Sequence, residues 1–211
     1  IMVLTAGTDF FNEIIDYGLE PGIPNLSSLK VLCDVLKKRG VADFPVHIKL
    51  DTGMHRLGFM TEEMASLTEF LSECSEVKVK SVYSHLAAAD DPEHDEFTVG
   101  QAELFMRNAD LLTSALGYKP LYHLLNSAGI ERFPQYQFDM VRLGIGIYGV
   151  SAIPGNKLSP VASFKCKVLQ IKTLNPGDGT IGYGRHGRIA KEGTTLATIP
   201  VGYADGIDRH L

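Results

Sequence analysis

Six polar side chains stand where apolar runs give out. They are Lys49 and Arg56 in HIKLDTGMHRLGF, His85 in VYSHL, Asn126 and Ser127 in HLLNSAG, and Arg142 in DMVRLGIGIYG. Taken singly, most have an ordinary reading. Lys49 is a strand-end surface charge, Arg56 a solvated turn residue, His85 a hydrogen-bonded structural histidine, and Asn126 or Ser127 a helix cap. Arg142 resists that treatment, because a guanidinium inside an apolar run needs polar partners. The run RLGIGIYG also brings backbone amides beside glycines, which allow close approach of an anion. With Ser127 it suggests a phosphate site, although it matches neither a Walker nor a dinucleotide fingerprint. Further on, Tyr183 sits between two glycines in IGYGR. It is a plain loop residue or a phenol held out for proton transfer, and the latter needs help at neutral pH because tyrosine titrates near pH 10.

An alternation of strands and helices has to position these groups. IMVLT reads as a strand and FFNEIIDYG as a helix stopped by Gly18. NLSSLKVLCDVLKKRG puts Leu29, Leu32, Cys33 and Leu36 on one face and closes with basic residues before Gly40. FPVHIKL and VKVKSVYSHL are strands. Between them TEEMASLTEFLSEC is a helix with Thr61 as its N-cap. TVGQAELFMRNADLLTSALG opens on a capping box from Thr98 to Gln101 and ends at Gly117. LYHLLNS and MVRLGIGIYG are two more strand-like runs. Alternation of this kind means βαβ units and a parallel sheet, an α/β fold. A closed eight-stranded barrel takes about 250 residues. The chain is therefore an open α/β sheet or a barrel without its first units. Near residue 155 the texture changes: VASFKCKVLQIKTL begins with Phe164, Cys166 and Val168 alternating with lysines and reads as a half-buried strand, NPGDGT is a turn cluster, and TTLATIPVGYADG is strand-rich.

Composition narrows the function classes. The 211 residues carry a net charge of -5, so no basic field attracts nucleic acid. No apolar run approaches the roughly 20 residues that span a bilayer, and the N-terminus is not a signal peptide. The three cysteines are widely spaced, form neither a metal cluster nor a disulfide framework, and suit a reducing cytoplasm.

Six blocks, HIKLDTGMHRLGF, VYSHLAAAD, HLLNSAG, VRLGIGIYG, IGYGR and IPVGYADG, together run through almost the whole chain. In order and spacing the sequence resembles the bacterial alanine racemases, fold-type III pyridoxal-phosphate enzymes. A weaker likeness is to forms fused to a muramoyl-peptide ligase of cell-wall synthesis. The resemblance implies a partial (β/α)8 barrel over residues 1–152 and a partial β domain over 153–211. It implies pyridoxal 5'-phosphate as cofactor, no metal, alanine as substrate, D-alanine for peptidoglycan as product, and a cytoplasmic homodimer with shared active sites. Arg56 would meet the substrate carboxylate and the cofactor's phenolic oxygen. Lys49 would orient Arg56 as a carbamate. Arg142 would bond the cofactor's ring nitrogen, within a polar network of His85, His123 and Tyr83. Ser127, beside Asn126, and the amides of Gly144 and Ile145 would hold the phosphate. Tyr183 would be one of two catalytic bases and Tyr203 would line the substrate entrance.

The resemblance is incomplete. The family's cofactor-binding lysine, the second base, lies in a block like VKANAYGHG that is absent from these residues. A Met-Asp block and a late phosphate-binding tyrosine are absent as well. The expectation is an internal fragment of a longer racemase, inactive by itself. The alternatives are a serine or broad-spectrum racemase and a non-catalytic cofactor-binding barrel. IGYGR and IPVGYADG speak against the latter, which lacks a β domain.

Overall fold

The computed structural model describes residues 1–156 and 158–208. The chain forms two compact units, Ile1–Val161 and Ala162–Leu211. The first contains β1 (Met2–Val3), α1 (Phe11–Asp16), β2 (Glu20–Ile23), α2 (Leu26–Arg39), β3 (Phe44–Lys49), α3 (Met64–Glu73), β4 (Val77–Tyr83), α4 (Asp95–Leu116), β5 (Leu121–His123) and α5 (Ser127–Arg132). The strands pair in sequence order, β1-β2-β3-β4-β5, and every pairing is parallel. Winding one way without reversal is the order of a barrel wall rather than a doubly wound sheet. The first unit is a partial TIM-type barrel.

Period-two alternation divides the wall. On β3, Phe44, Val46 and Ile48 join the apolar core with Leu29, Leu32 and Leu36 of α2 and Leu67 of α3. The other parity carries His47 and Lys49, both buried. The register between β3 and β4 slips between Val46 and His47, so Ser81 lies beside His47 and Tyr83 beside Lys49. That irregularity skips Lys80 and re-aims the strand end. Helix α2 keeps its expected form. Asn25 Oδ1 accepts from the Ser28 amide at 2.8 Å, and Gly40 closes it at φ 67°.

Several local expectations are corrected. Thr61 is no helix cap. It opens a 3-10 turn ahead of α3, and its Oγ1 accepts from Asn108 Nδ2 at 3.0 Å. Thr98 and Gln101 form no capping box, because α4 already starts at Asp95, after the Asp91-Pro92 turn in which Asp91 Oδ1 accepts from the Glu93 amide. Both are buried inside the helix. MVRLGIGIYG is not a strand. Met140 makes one parallel bridge to His123, and Gly144, Gly146 and Gly149 then give a 3-10 turn, Ile145–Tyr148, in place of a ladder. Strand β2, from EPGI, went unread because Pro21 and Gly22 fill half of it. Cys33 and Cys74 are far apart in sequence, yet their sulfurs lie 3.1 Å apart as free thiols.

The second unit has β6 (Gln170–Leu174) antiparallel to β9 (Thr194–Thr198), and β7 (Thr180–Ile181) antiparallel to β8 (Gly187–Arg188). The strand expected over VASFKCKVLQIKTL forms only at Gln170–Leu174, as β6, and is not half-buried at its start: the segment Phe164–Val168 stays outside the ladder, with both end residues exposed. Its amides have no partner strand, since β9 pairs only from Gln170 onward. Among the described residues, no helix is long and apolar enough to cross a membrane.

Candidate active site

Lys49, Tyr83 and His123 are the last residues of β3, β4 and β5. The C-terminal rim of the wall therefore carries a cation, a phenol and an imidazole side by side. Strand-end loops add the rest.

The loop after β3 closes on itself. The Asp51 amide donates to Phe59 O at 2.9 Å and the Phe59 amide to Lys49 O at 2.8 Å. Asp51 Oδ1 accepts from the amides of Gly53 and His55, each at 3.0 Å. Gly58 makes the closure possible, since a Cβ there would stand 2.5 Å from Asp51 N. The result is a tight loop that presents Arg56, exposed, at the rim.

Arg142 is the most heavily engaged side chain at the rim. Its Nη1 donates to His123 Nδ1 at 2.7 Å and His123 O at 3.1 Å. Its Nη2 reaches Ser84 O at 2.5 Å, Leu124 O at 3.1 Å and His85 Nδ1 at 3.4 Å. Nε makes none of these contacts. The guanidinium lies 5.4 Å from the Tyr83 ring centroid, and the His123 ring stacks on Tyr83 at 5.0 Å. Burial draws Arg142 down to about 10, which leaves it charged at neutral pH. Burial, then the Arg142 charge, draws His123 to about 3 and His85 to about 4, so both are neutral acceptors. Burial pushes Tyr83 up to about 12. Lys49 is drawn down by burial first and then by Arg56 and Arg142.

Asn126 caps α5: its Oδ1 accepts from the Gly129 amide at 3.0 Å, and its Nδ2 donates to Leu86 O at 3.2 Å. The next residue, Ser127, accepts at Oγ from the amides of Gly144 and Gly146, at 2.9 and 3.0 Å. Ile145 opens the 3-10 turn, whose first amides lack partners within the turn.

These groups surround one cavity of about 880 Å³. Lys49, Arg56, Tyr83, His85, Asn126, Ser127, Arg142, Gly144 and Ile145 all line it. His123 stands behind Arg142 rather than on the cavity wall. Leu4, Leu57 and Leu143 supply apolar wall that the sequence reading did not anticipate. Tyr183 and Tyr203 belong to the second unit. Tyr183 is 95% exposed, between Gly182 and Gly184, both at positive φ. Tyr203 opens a short 3-10 turn. The reading also missed Glu20, His47 and Ser81, although His47 and Ser81 share the strand parity of Lys49 and Tyr83. Among the described residues no group of acidic, histidine and cysteine side chains is arranged to hold a metal.

The alanine racemase N-terminal domain family matches residues 1–152, and the alanine racemase C-terminal domain family matches residues 161–211. The chain belongs to the alanine racemase family. An alanine racemase of Synechocystis sp. is 36% identical over 202 residues, 94% of this chain and 53% of that protein. Alanine racemase 1 of Oceanobacillus iheyensis is 40% identical over 174 residues, 79% of this chain and 45% of that one. Among solved structures, alanine racemase from Bartonella henselae with covalently bound pyridoxal phosphate superposes with a TM-score of 0.83 at 29% identity. It covers 100% of this chain and 57% of the other. Biosynthetic alanine racemase from Pseudomonas aeruginosa gives 0.82 at 26% identity, over 99% and 57%. The chain spans about half the length of the alanine racemases it matches.

Proposed function

We propose that these residues form the greater part of an alanine racemase site that uses pyridoxal 5'-phosphate to interconvert L-alanine and D-alanine. The observation that carries this reading is the convergence of Arg142, Arg56 and the Ser127–Gly144 corner on one cavity. The donor set suits the cofactor. A hydroxyl and the glycine-rich turn favour an anion where Ser127, Gly144 and Ile145 line the cavity. Arg142, whose Nε takes no part in the five contacts above, faces the cavity as a donor.

Bound pyridoxal phosphate supplies the electron sink that makes the substrate α-hydrogen removable. Arg142 would donate to the ring nitrogen and, because arginine does not readily release a proton, would leave that nitrogen unprotonated. Ser127 and the amides of Ile145 and Gly144 would hold the phosphate, the Gly144 amide giving up its bond to Ser127 Oγ, with Asn126 fixing the turn. Arg56 receives the substrate carboxylate, held in place by the closed loop and by Lys49, which serves as a carbamate. His85, His123 and Tyr83 hold Arg142. Tyr183 moves the proton on the L-alanine face, and Tyr203 borders the entrance. Residues 153–211 act as a β domain that completes the site of a second subunit in a homodimer. The product serves peptidoglycan synthesis.

The other face needs a second base, the cofactor-binding lysine of the VKANAYGHG-like block. We take the active enzyme to be a longer racemase that contains both these residues and that block. A D-amino-acid-oxidase-coupled assay tests the reading. The longer protein converts L-alanine, and Tyr183→Phe lowers the rate about 10²–10⁴-fold, the usual scale of general-base catalysis. The 211 residues alone give no D-alanine above the free-cofactor background. Rapid turnover by the short chain, or an unaffected Tyr183→Phe enzyme, contradicts it.

A further inference from the structure

A parallel barrel ordinarily packs its interior with Val, Ile and Leu. Behind Arg142, this wall instead carries a file of polar side chains reaching the opposite strand ends. Arg142 Nη1 donates to His123 Nδ1 at 2.7 Å. His123 Nε2 lies 2.8 Å from Ser81 Oγ, and Ser81 Oγ lies 2.5 Å from His47 Nδ1. His47 Nε2 lies 2.9 Å from Glu20 Oε2, and Glu20 Oε1 accepts from Lys80 Nζ at 2.6 Å. His123, Ser81 and His47 are buried, with 0%, 0% and 4% exposure, so water does not interrupt the file.

The chemistry of the two ends fixes the direction of every bond between them. A guanidinium only donates, so His123 Nδ1 accepts and its ring proton sits on Nε2. An ionised carboxylate only accepts, so His47 Nε2 carries the proton and its Nδ1 accepts. Ser81 then receives from His123 and donates to His47, which is what one hydroxyl does. The constraints from both ends agree at Ser81, and no junction sets donor against donor. The ionisation states agree as well. Lys80 holds Glu20 below the usual carboxylate range, and burial draws both imidazoles below their ordinary value.

We propose that Glu20, His47 and Ser81 are positioning residues for Arg142. A one-way hydrogen-bond chain anchored at the Glu20–Lys80 pair aims the Ser81 oxygen at His123 Nε2–H, which holds the ring that receives Arg142 and thereby sets the guanidinium that faces the cavity. The functional meaning rests on the racemase reading, in which Arg142 addresses the cofactor ring. The chain itself does not.

Histidine-ring nitrogen NMR on the full chain reads the tautomers directly. In the wild type, His123 and His47 each show a single neutral tautomer protonated at Nε2. Glu20→Gln keeps the shape of the anchor but offers His47 a donor or an acceptor. His47 becomes a tautomer mixture, and the His123 Nε2 resonance, two links away, shifts as Ser81 loses its fixed direction, while the His123 tautomer, set by Arg142, and the remaining amide spectrum are unchanged. Ser81→Ala cuts the file and uncouples the two rings, so that adding Glu20→Gln no longer moves His123. A His123 protonated at Nδ1 in the wild type overturns the proposal. So does a Glu20→Gln effect confined to His47. Pyridoxal phosphate titration of the same proteins separates this from the racemase reading. Coupled rings in a chain whose cofactor binding ignores Arg142→Leu leave the file standing and remove that reading. Uncoupled rings with Arg142-dependent binding do the reverse.

Discussion

Arg142 Nη1 stands 2.7 Å from His123 Nδ1, and a guanidinium can meet an imidazole at that distance only if the ring is neutral. The site therefore depends on a histidine that stays unprotonated while folded.

Stability should consequently fall in mild acid. Unfolded His123 takes up its proton near pH 6.5, the folded form only near about 3. Between those values the unfolded chain binds the extra proton. The contribution is thus fully present above pH 6.5 and is lost as pH falls, at about 1.4 kcal/mol per pH unit. His85, drawn down to about 4, acts in the same direction. Urea midpoints at pH 7 and pH 5 measure this. The midpoint drops, and His123→Gln lessens the drop by about one proton's worth. A flat profile contradicts the neutral ring.

Two glycines at positive φ should respond differently to alanine. At Gly58, φ is 134° and a Cβ would stand 2.5 Å from Asp51 N and 2.6 Å from Leu50 C. At Gly40, φ is 67° and nothing lies within 4 Å. Gly40→Ala is expected to lose about 1 kcal/mol. Gly58→Ala adds a backbone clash to its conformational cost of about 1–3 kcal/mol. It also opens the loop that presents Arg56. Thermal melts rank the two, and equal losses would mean that the loop relaxes freely.

Much of this could be read from the sequence. Period-two apolar runs located β3, β4 and β5, and helical spacing with Gly40 located α2. The rim residues followed, because polar groups that end apolar strands share one end of a parallel wall. What failed was local chemistry outweighed by context. The Asp91-Pro92 turn starts α4 ahead of Thr98, and the glycines of RLGIGIYG replace a strand with a turn. Proximity across the fold was also hidden. Cys33 and Cys74 meet only because α2 and the end of α3 do. The buried file from Glu20 to Arg142 required both the unread β2 and the register slip at Ser81.

If the β domain completes a neighbouring subunit's site, two defective proteins should repair each other. In the longer protein, one subunit carries Tyr183→Phe and the other lacks the cofactor-binding lysine. Mixed dimers contain one site with both bases, and about half the wild-type rate per dimer returns. Absence of recovery in verified mixed dimers contradicts site sharing.

The central claim is that the cavity bounded by Ser127 and Arg142 receives pyridoxal 5'-phosphate. Equilibrium titration of the chain with the cofactor, beside pyridoxal lacking the phosphate, tests it most directly. Charge-assisted hydrogen bonds contribute about 1.5–3 kcal/mol each. The phosphorylated compound should therefore bind at least about tenfold more tightly, and Ser127→Asp, which sets a carboxylate against the phosphate, should abolish binding. Equal affinity for the two compounds, or binding that survives Ser127→Asp, would contradict the account.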